Sequence, residues 1–152
     1  MPTITPSYIY TFFAMLIVSS ILISSFSAYV VALKTIPEIQ QLENLLKHVA
    51  SQGYRLITLT NVANSTSRVV LELPSAIGSK QYWFRLCNDS SRAWVEGALG
   101  PITKVNVGNQ VPLPNMIVAI GNYSSVNGPA VLESYWDQTI PVLHLIAWSE
   151  KA

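Results

Sequence analysis

The chain has 152 residues, of which half are apolar and only 11% are charged, against a usual charged share of about 25%. Its formal net charge of +1 gives no electrostatic case for binding nucleic acid. Cys87 is the only cysteine, so the sequence excludes an intrachain disulfide and a metal site built from several thiolates. The length favours one folded domain with an appendage.

The N-terminal part has the composition of a membrane helix. Residues 1–33 contain no Asp, Glu, Lys, Arg or His. A helix over 8–33 would be about 39 Å long at 1.5 Å per residue, which exceeds the roughly 30 Å core of a bilayer. A cleaved secretory signal needs a basic start and a shorter apolar stretch, and "MPTITPS" contains no base. We therefore expect an anchor or an assembly element.

Small side chains recur along one face of this predicted helix at four-residue spacing. They are Ser20, Ser24, Ala28 and Ala32. A stripe of this kind lets two helix backbones approach closely in lipid, where no hydrophobic force drives helices together. The alternative is that serine and alanine are simply common in membrane helices, with the hydroxyls bonded to their own backbone. Both interpretations stay open at this point.

Beyond residue 34 the apolar pattern becomes amphipathic. Apolar residues recur at 3-4-3 spacing, which marks one helical face, and we expect this face to seat the following domain. They are Ile39, Leu42, Leu46 and Val49. Pro37 predicts a kink, and Gly53 predicts the end of the helix. The sequence thus divides into a transmembrane or assembly helix, 1–52, and a domain of different composition, 53–152.

Short runs rich in β-branched and aromatic residues follow, separated by turn-forming stretches such as "GNQVPLP". Their spacing near ten residues predicts an antiparallel β-sandwich or small β-barrel, and hence an α+β fold. The predicted strand runs are "YRLITLT", "SRVVLELP", "KQYWFRLC", "RAWVEGAL", "KVNV", "MIVAIGNY", "PAVLESYW" and "IPVLHLIAW".

The residues that an enzyme would need are sparse. His48 and His144 have no second His or Cys at metal-ligand spacing, and no P-loop, GxGxxG or GxSxG motif occurs. We expect Cys87 to be a small core residue. The acids of the second part are expected at solvated strand or turn positions, although two could converge as glycosidase carboxylates do. They are Glu72, Asp89, Glu96, Glu133 and Asp137. The sequence therefore predicts no catalytic site, no metal and no cofactor.

Three asparagines lie in N-x-[ST] sequons within predicted loops, where a glycan has room. They are Asn64, Asn88 and Asn122, and the alternative for each is a turn-forming asparagine. The tryptophans are expected mostly in the core, with one or two exposed as a sugar-stacking or partner surface. They are Trp83, Trp94, Trp136 and Trp148.

A charge-free helix that continues as an amphipathic helix into a disulfide-free β-domain with sequons resembles the archaeal type IV pilin superfamily. That superfamily includes adhesive pilins, archaellins and the membrane-anchored stator proteins of the archaellum. The resemblance covers the layout of the whole chain, and its specific part is the helix over 8–49. It implies that the apolar helices bundle in a filament core or stay in the membrane, with the β-domain displayed outside.

Two features bear on this resemblance. The stretch "MPTITPSYIY" lacks the basic residue and small residue that precede the apolar run in a class III signal, so the chain is either not processed by a prepilin peptidase or given without its leader. Lys34, the base nearest the span, would place the β-domain in the cytoplasm by the positive-inside rule. A bias of one charge is small, so the sequons and the β-rich composition carry more weight and predict a domain outside the cell.

Two functions of different class follow from the sequence. The first is a structural subunit of an extracellular pilus-like or archaellum-like filament, with copies of itself or related pilin-like subunits as partners. The second is a protein anchored singly in the membrane that holds its domain against a cell-wall, S-layer or surface-glycan partner. Both place the chain at the cell surface, and an extracytoplasmic enzyme is the third and least supported alternative.

Overall fold

The computed structural model describes residues 6–101 and 108–147. A single long helix, α1 (Pro6–Ala63), comes first, and eight strands and one short 3-10 helix follow within the described residues. The predicted α+β fold, with a long N-terminal helix followed by mostly antiparallel strands, is confirmed. The elements after α1 are β1 (Ser67–Leu71), β2 (Tyr82–Asn88), β3 (Ala93–Leu99), β4 (Asn109–Pro112), β5 (Val118–Ile120), β6 (Asn122–Ser124), the 3-10 helix (Ser125–Asn127), β7 (Ala130–Asp137) and β8 (Ile140–Ala147).

The chain separates into two compact units, Met1–Pro37 and Glu38–Ala152. The second unit contains all the strands and also the C-terminal part of α1, from Glu38 onward. Helical structure continues through Pro37 without interruption. The kink at that residue stays a prediction.

The helix end predicted at Gly53 is wrong, and so is the strand predicted over 54–60, because α1 continues to Ala63. Gly53 instead allows α1 to lie close to β8, because a Cβ added at this residue would lie 2.9 Å from Leu143 Cδ2. The helix is followed instead by Asn64, whose φ of 47° is the left-handed conformation that often ends helices. Asparagine adopts this conformation more readily than most residues.

The strands form two four-stranded sheets. The first has the order β1-β7-β8-β5 and the second the order β4-β3-β2-β6. Neighbouring strands are antiparallel except for β5 and β8, which are parallel. One continuous segment serves both sheets, since β5 pairs with β8 and β6 pairs with β2.

Gly121 lies between β5 and β6 and permits this change of sheet. Its φ is 126°, and a Cβ there would lie 2.3 Å from the carbonyl oxygen of Leu145. Its own carbonyl accepts a hydrogen bond from the Leu86 N–H at 2.9 Å. Only glycine combines this backbone conformation with so close an approach to β8.

The interpretation of "GNQVPLP" as a turn is wrong, because it contains β4. This short strand lies at the end of the second sheet beside β3. Pro112, opposite Trp94, is tolerated there because an edge strand need not donate every ladder hydrogen bond. The strand predicted over 104–107 lies outside the described residues.

The hydrophobic core of the Glu38–Ala152 unit joins α1 to both sheets. Leu46 is fully buried, and a Cβ added to Gly97 of β3 would touch its Cδ2 at 3.0 Å. A Cβ on Gly53 would meet Leu132 as well as Leu143, so the same helix also packs on β7 and β8. Full burial of a leucine or valine side chain contributes about 1.5–3 kcal/mol, and this contact makes α1 part of the domain core.

Candidate functional site

The first candidate site is the apolar N-terminal part of α1. Its large side chains are exposed in the single chain; Leu22, for example, is 64% exposed and Phe26 is 72% exposed. Among the described residues, α1 is the one helix long enough and apolar enough to cross a bilayer, and none of its most apolar stretch is buried. By length and composition α1 therefore qualifies as a membrane anchor.

The four small residues at four-residue spacing lie on this exposed part of the helix. Because a helix turns about 100° per residue, each step of four rotates the line by about 40°, so the stripe winds slowly around α1. The Ser20 hydroxyl donates to the Ile17 carbonyl at 3.0 Å and is satisfied within the helix. The residues themselves, Ser20, Ser24, Ala28 and Ala32, are all exposed.

Tyrosines bracket the apolar segment, a feature that the sequence interpretation did not use. Tyr8 and Tyr10 are 75% and 74% exposed, and Tyr29 is 63% exposed. At 1.5 Å per residue, the step from Tyr8 to Tyr29 is about 32 Å along the helix, close to the roughly 30 Å hydrocarbon core of a bilayer. Tyrosine is enriched at both membrane–water interfaces, so this spacing suits a helix that spans a membrane.

Of the four residues predicted to form the amphipathic face after residue 34, three are buried and one is exposed. Leu42, Leu46 and Val49 are 3%, 0% and 1% exposed, whereas Ile39 is 44% exposed. The core face continues beyond them through Leu56, Ile57 and Thr60, which are 5%, 5% and 0% exposed. The Thr60 hydroxyl donates to the Ser134 carbonyl of β7 at 3.2 Å.

A turn of the β-domain contacts α1 where the second compact unit begins. Lys80 Nζ lies 2.7 Å from Glu38 Oε2, and the Glu38 side chain is only 15% exposed. Gly78 in the same turn has a φ of 61°, and a Cβ there would lie 2.6 Å from Glu38 Oε1. The turn therefore fits closely over the Glu38 carboxylate.

The three sequon asparagines all have exposed side chains. Asn64 follows the last residue of α1, Asn88 is the last residue of β2, and Asn122 is the first residue of β6. Asn88 and Asn122 thus lie at strand ends and not in the middle of loops. Exposure at all three positions leaves room for a glycan.

The most elaborate polar site is one that the sequence interpretation missed. Glu96 of β3 was expected at a solvated position, but only 5% of it is exposed. Its carboxylate accepts hydrogen bonds from Arg85 Nε, from Trp94 Nε1 at 3.1 Å and from Gln110 Nε2 at 3.4 Å. Arg85 also lies over the Trp83 ring, with Cζ 5.7 Å from the ring centroid. All five residues belong to the second sheet.

Burial and hydrogen bonding act in opposite directions on Glu96. Burial alone would raise the pKa of its carboxyl, but the hydrogen bonds from Trp94 and Arg85, with the Arg85 charge, lower the pKa below its ordinary value. Nearby Cys87 is half-buried, and burial followed by the Glu96 charge raises the pKa of its thiol. Cys87 is therefore a protonated thiol near neutral pH and a poor nucleophile.

The other ionisable side chains of the described residues that interact do so mostly as separate ion pairs. Within the described residues, no group of three His, Cys, Asp or Glu side chains has the spacing of a metal site. Glu133 is paired with Arg68 at 2.7 Å and lies opposite His144 in the β7–β8 register. Asp89 accepts hydrogen bonds from the Ser91 and Arg92 amides, which lower the pKa of its carboxyl. His48, Glu72 and Asp137 are exposed.

The tryptophans divide between the interior and the surface. Trp83 is 3% exposed, Trp94 is half-buried and Trp136 is 39% exposed. Trp136 donates its indole N–H to the Thr60 carbonyl at 3.3 Å, which holds the ring beside the end of α1. Trp148 lies outside the described residues.

No family model matches the sequence, and no curated protein or solved structure is significantly similar to it. The helix and the domain themselves therefore carry the functional proposal.

Proposed function

We propose that the chain is a structural subunit of a cell-surface filament. The apolar part of α1 enters the membrane first and then packs against the same segment of neighbouring subunits, while the Glu38–Ala152 unit is displayed outside. The observation that carries the proposal is the division of α1: its N-terminal side chains are exposed, and one face of its C-terminal part is buried in a domain core.

The exposed segment needs an apolar environment that the single chain does not supply. Side chains such as Phe12, Leu22 and Phe26 are 63%, 64% and 72% exposed. At roughly 25 cal/mol per Å² of apolar surface, leaving a helix of this length in water is strongly unfavourable. Lipid supplies that environment to one chain, and a bundle of equivalent helices supplies it to a filament.

The stripe of small residues supports packing between helices. Ser24 and Ala28 add little bulk to the helix surface, so a second backbone can approach there. In a filament each subunit repeats this contact. A protein anchored singly in the membrane does not need this contact. The single-anchor function is favoured by a different observation, the tyrosine spacing of about 32 Å.

The deciding experiment replaces both Ser24 and Ala28 by leucine. This keeps the segment apolar but adds volume at the proposed contacts, where overpacking costs about 1–3 kcal/mol per site. We expect filaments to disappear from negative-stain images of the cells while the protein remains in the membrane fraction. The matched control is the double variant Ser19→Leu with Val30→Leu, which changes the opposite face at about 100° per residue and should leave filaments intact.

The outcomes separate the two functions. Normal filaments with Ser24→Leu and Ala28→Leu would contradict the packing role of the stripe. A parent protein that stays monomeric in the membrane of cells without filaments would support the single anchor that presents its domain to a cell-wall or S-layer partner. Labelling intact cells with a membrane-impermeant amine reagent tests the orientation, because Lys47 and Lys80 of the second unit are exposed.

A further inference from the structure

A cleft of about 620 Å³ opens in the Glu38–Ala152 unit, where the end of α1 meets the β7–β8 hairpin and residues 114–117. Its apolar lining includes Ile57 and Ile117, which are 5% and 7% exposed. Two aromatic rings also line it, those of Tyr54 and Trp136, which are 62% and 39% exposed. The volume lies within the roughly 300–1,000 Å³ that small-molecule sites occupy.

The polar lining of the cleft is uncharged. Its polar side chains are amides and hydroxyls, and among the described residues no Asp, Glu, Lys, Arg or His lines it. The polar members are Thr58, Asn61, Ser90, Asn115 and Thr139. Such groups bond neutral hydroxyl and amide groups but do not neutralise an ion, so a charged ligand would lose its hydration without gaining a counter-charge.

One residue at the cleft has a backbone conformation that is rare for its residue type. Met116, which lines the cleft, has a φ of 63° and is 88% exposed. The left-handed backbone conformation is unfavourable for residues with large side chains, whereas Gly, Asn and Asp adopt it more readily. Residues held in such conformations cluster at ligand-binding loops. The exposed side chain gains little burial in return, so the conformation is not explained by packing of Met116 into the core.

We propose that this cleft binds a neutral carbohydrate of one or two rings. A pyranose has an apolar C–H face, which suits the faces of Tyr54 and Trp136, and an edge of hydroxyls, which suits the amides of Asn61 and Asn115. A purely apolar ligand would cover these amides without bonding them, which is unfavourable because each amide would lose its hydrogen bonds to water without replacement. The Trp136 indole N–H already bonds the Thr60 carbonyl, so the ring is held in place before the ligand arrives.

The inference does not depend on the filament proposal, because a lone anchor and a filament subunit present the same cleft. Its test uses the full chain from a host without N-glycosylation, reconstituted in phosphatidylcholine nanodiscs because sugar-headed detergents would occupy the site. The probes are glucose, galactose, mannose, N-acetylglucosamine and disaccharides of each, followed by saturation-transfer NMR. Glucuronate serves as the charged comparison.

We expect saturation of the ring C–H protons of at least one neutral sugar, reduced several-fold by Tyr54→Ala and by Asn61→Ala. Both side chains are exposed, so neither change removes core packing. The matched controls are Leu59→Ala and Val62→Ala, which alter exposed positions of α1 outside the cleft and should leave the signal unchanged. Circular dichroism melts confirm that all four variants remain folded.

Three results would overturn the inference. The first is no saturation of any neutral sugar. The second is saturation that survives Tyr54→Ala combined with Asn61→Ala, which would place binding elsewhere. The third is displacement of a bound sugar by glucuronate at equal concentration, which would show a site that does not discriminate against charge.

Discussion

The guanidinium of Arg85 and the carboxylate of Glu96 face each other across β2 and β3, as direct partners in the strand register. The arginine side chain is 53% exposed, whereas that of the glutamate is 6% exposed. The pair is therefore asymmetric: its anion lies inside the network of the second sheet and its cation lies at the surface. Removing the anion takes away the acceptor of the whole network, while removing the cation takes away one of the three donors to that buried acceptor.

This asymmetry predicts an acid-sensitive contribution to stability from Glu96. Its folded pKa lies below its ordinary value near 4.5, so the unfolded chain binds the proton more tightly. The contribution is complete above about pH 4.5 and is lost as the pH falls through the folded pKa. We expect Glu96→Gln to lower stability by about 1–3 kcal/mol at neutral pH and to flatten the acid side of the melting-temperature profile.

The control for this prediction is Glu72→Gln, which removes an exposed acid and should leave the profile unchanged. Thermal melts of the full chain followed by tryptophan fluorescence between pH 3 and 7 provide the measurement. A parallel loss of acid sensitivity in both variants would show that the effect comes from overall charge.

A second prediction concerns where the chain can be cut. A fragment 38–152 retains the whole core of the second unit and should be soluble with a cooperative melt. A fragment 53–152 lacks Leu42, Leu46 and Val49 and should aggregate, because the inner faces of the sheets lose the helix that covers them. Circular dichroism and size-exclusion chromatography distinguish the two, and equal behaviour would contradict a structural role for the helix before Gly53.

A third prediction compares two glycines with left-handed backbone. Gly121 and Gly100 have φ values of 126° and 97°. A Cβ would meet Leu145 O at 2.3 Å at Gly121, but at Gly100 it would meet nothing within 4 Å among the described residues. Gly100→Ala should show only the conformational cost, of about 1–2 kcal/mol. Gly121→Ala should cost clearly more, since β5 and β6 must move away from β8. Urea unfolding of both variants measures the difference, and equal costs would mean that the strand relaxes freely.

A fourth prediction separates the members of the amphipathic face. Leu46→Ala leaves a cavity at a fully buried site and should cost about 2–5 kcal/mol. Ile39→Ala changes a side chain that is 44% exposed and should cost well under half as much. Urea unfolding measures both, and if Ile39→Ala proved equally destabilising, an additional surface would have to bury Ile39 in solution.

Local sequence pattern was sufficient for the broad fold but not for its long-range contacts. The charge-free stretch and the short runs rich in β-branched and aromatic residues are local properties, so they predict a helix followed by strands. The helix over 54–60 was missed because Ile57, Thr58 and Thr60 also suit a strand, and only contact with β7 and β8 decides between the two. Gly53 was predicted to end the helix because glycine often follows the last residue of a helix. The sequence pattern contains no information on the approach of Leu143, which explains the glycine.

The candidate sites likewise include one that local sequence predicts and others that depend on long-range contacts. The exposed apolar helix follows from composition alone. The network around Glu96 requires knowing that Arg85, Glu96 and Gln110 lie side by side on three strands, and a strand register is not written in any one of them. The cleft beside Trp136 depends on four separate chain segments meeting, and no one of these segments predicts the others' positions.

The contact between Gly53 and Leu143 also sets an order of events during synthesis. The helix leaves the ribosome first, and its partner in β8 follows about 90 residues later, which is roughly 5–18 s at 5–20 residues per second. At the start of that interval Leu42, Leu46 and Val49 have no sheet to cover them, and β3, which Leu46 contacts, is made before β8. Early insertion of the preceding apolar segment into a membrane would tether the unfinished domain and keep this face from meeting the same face of another nascent chain.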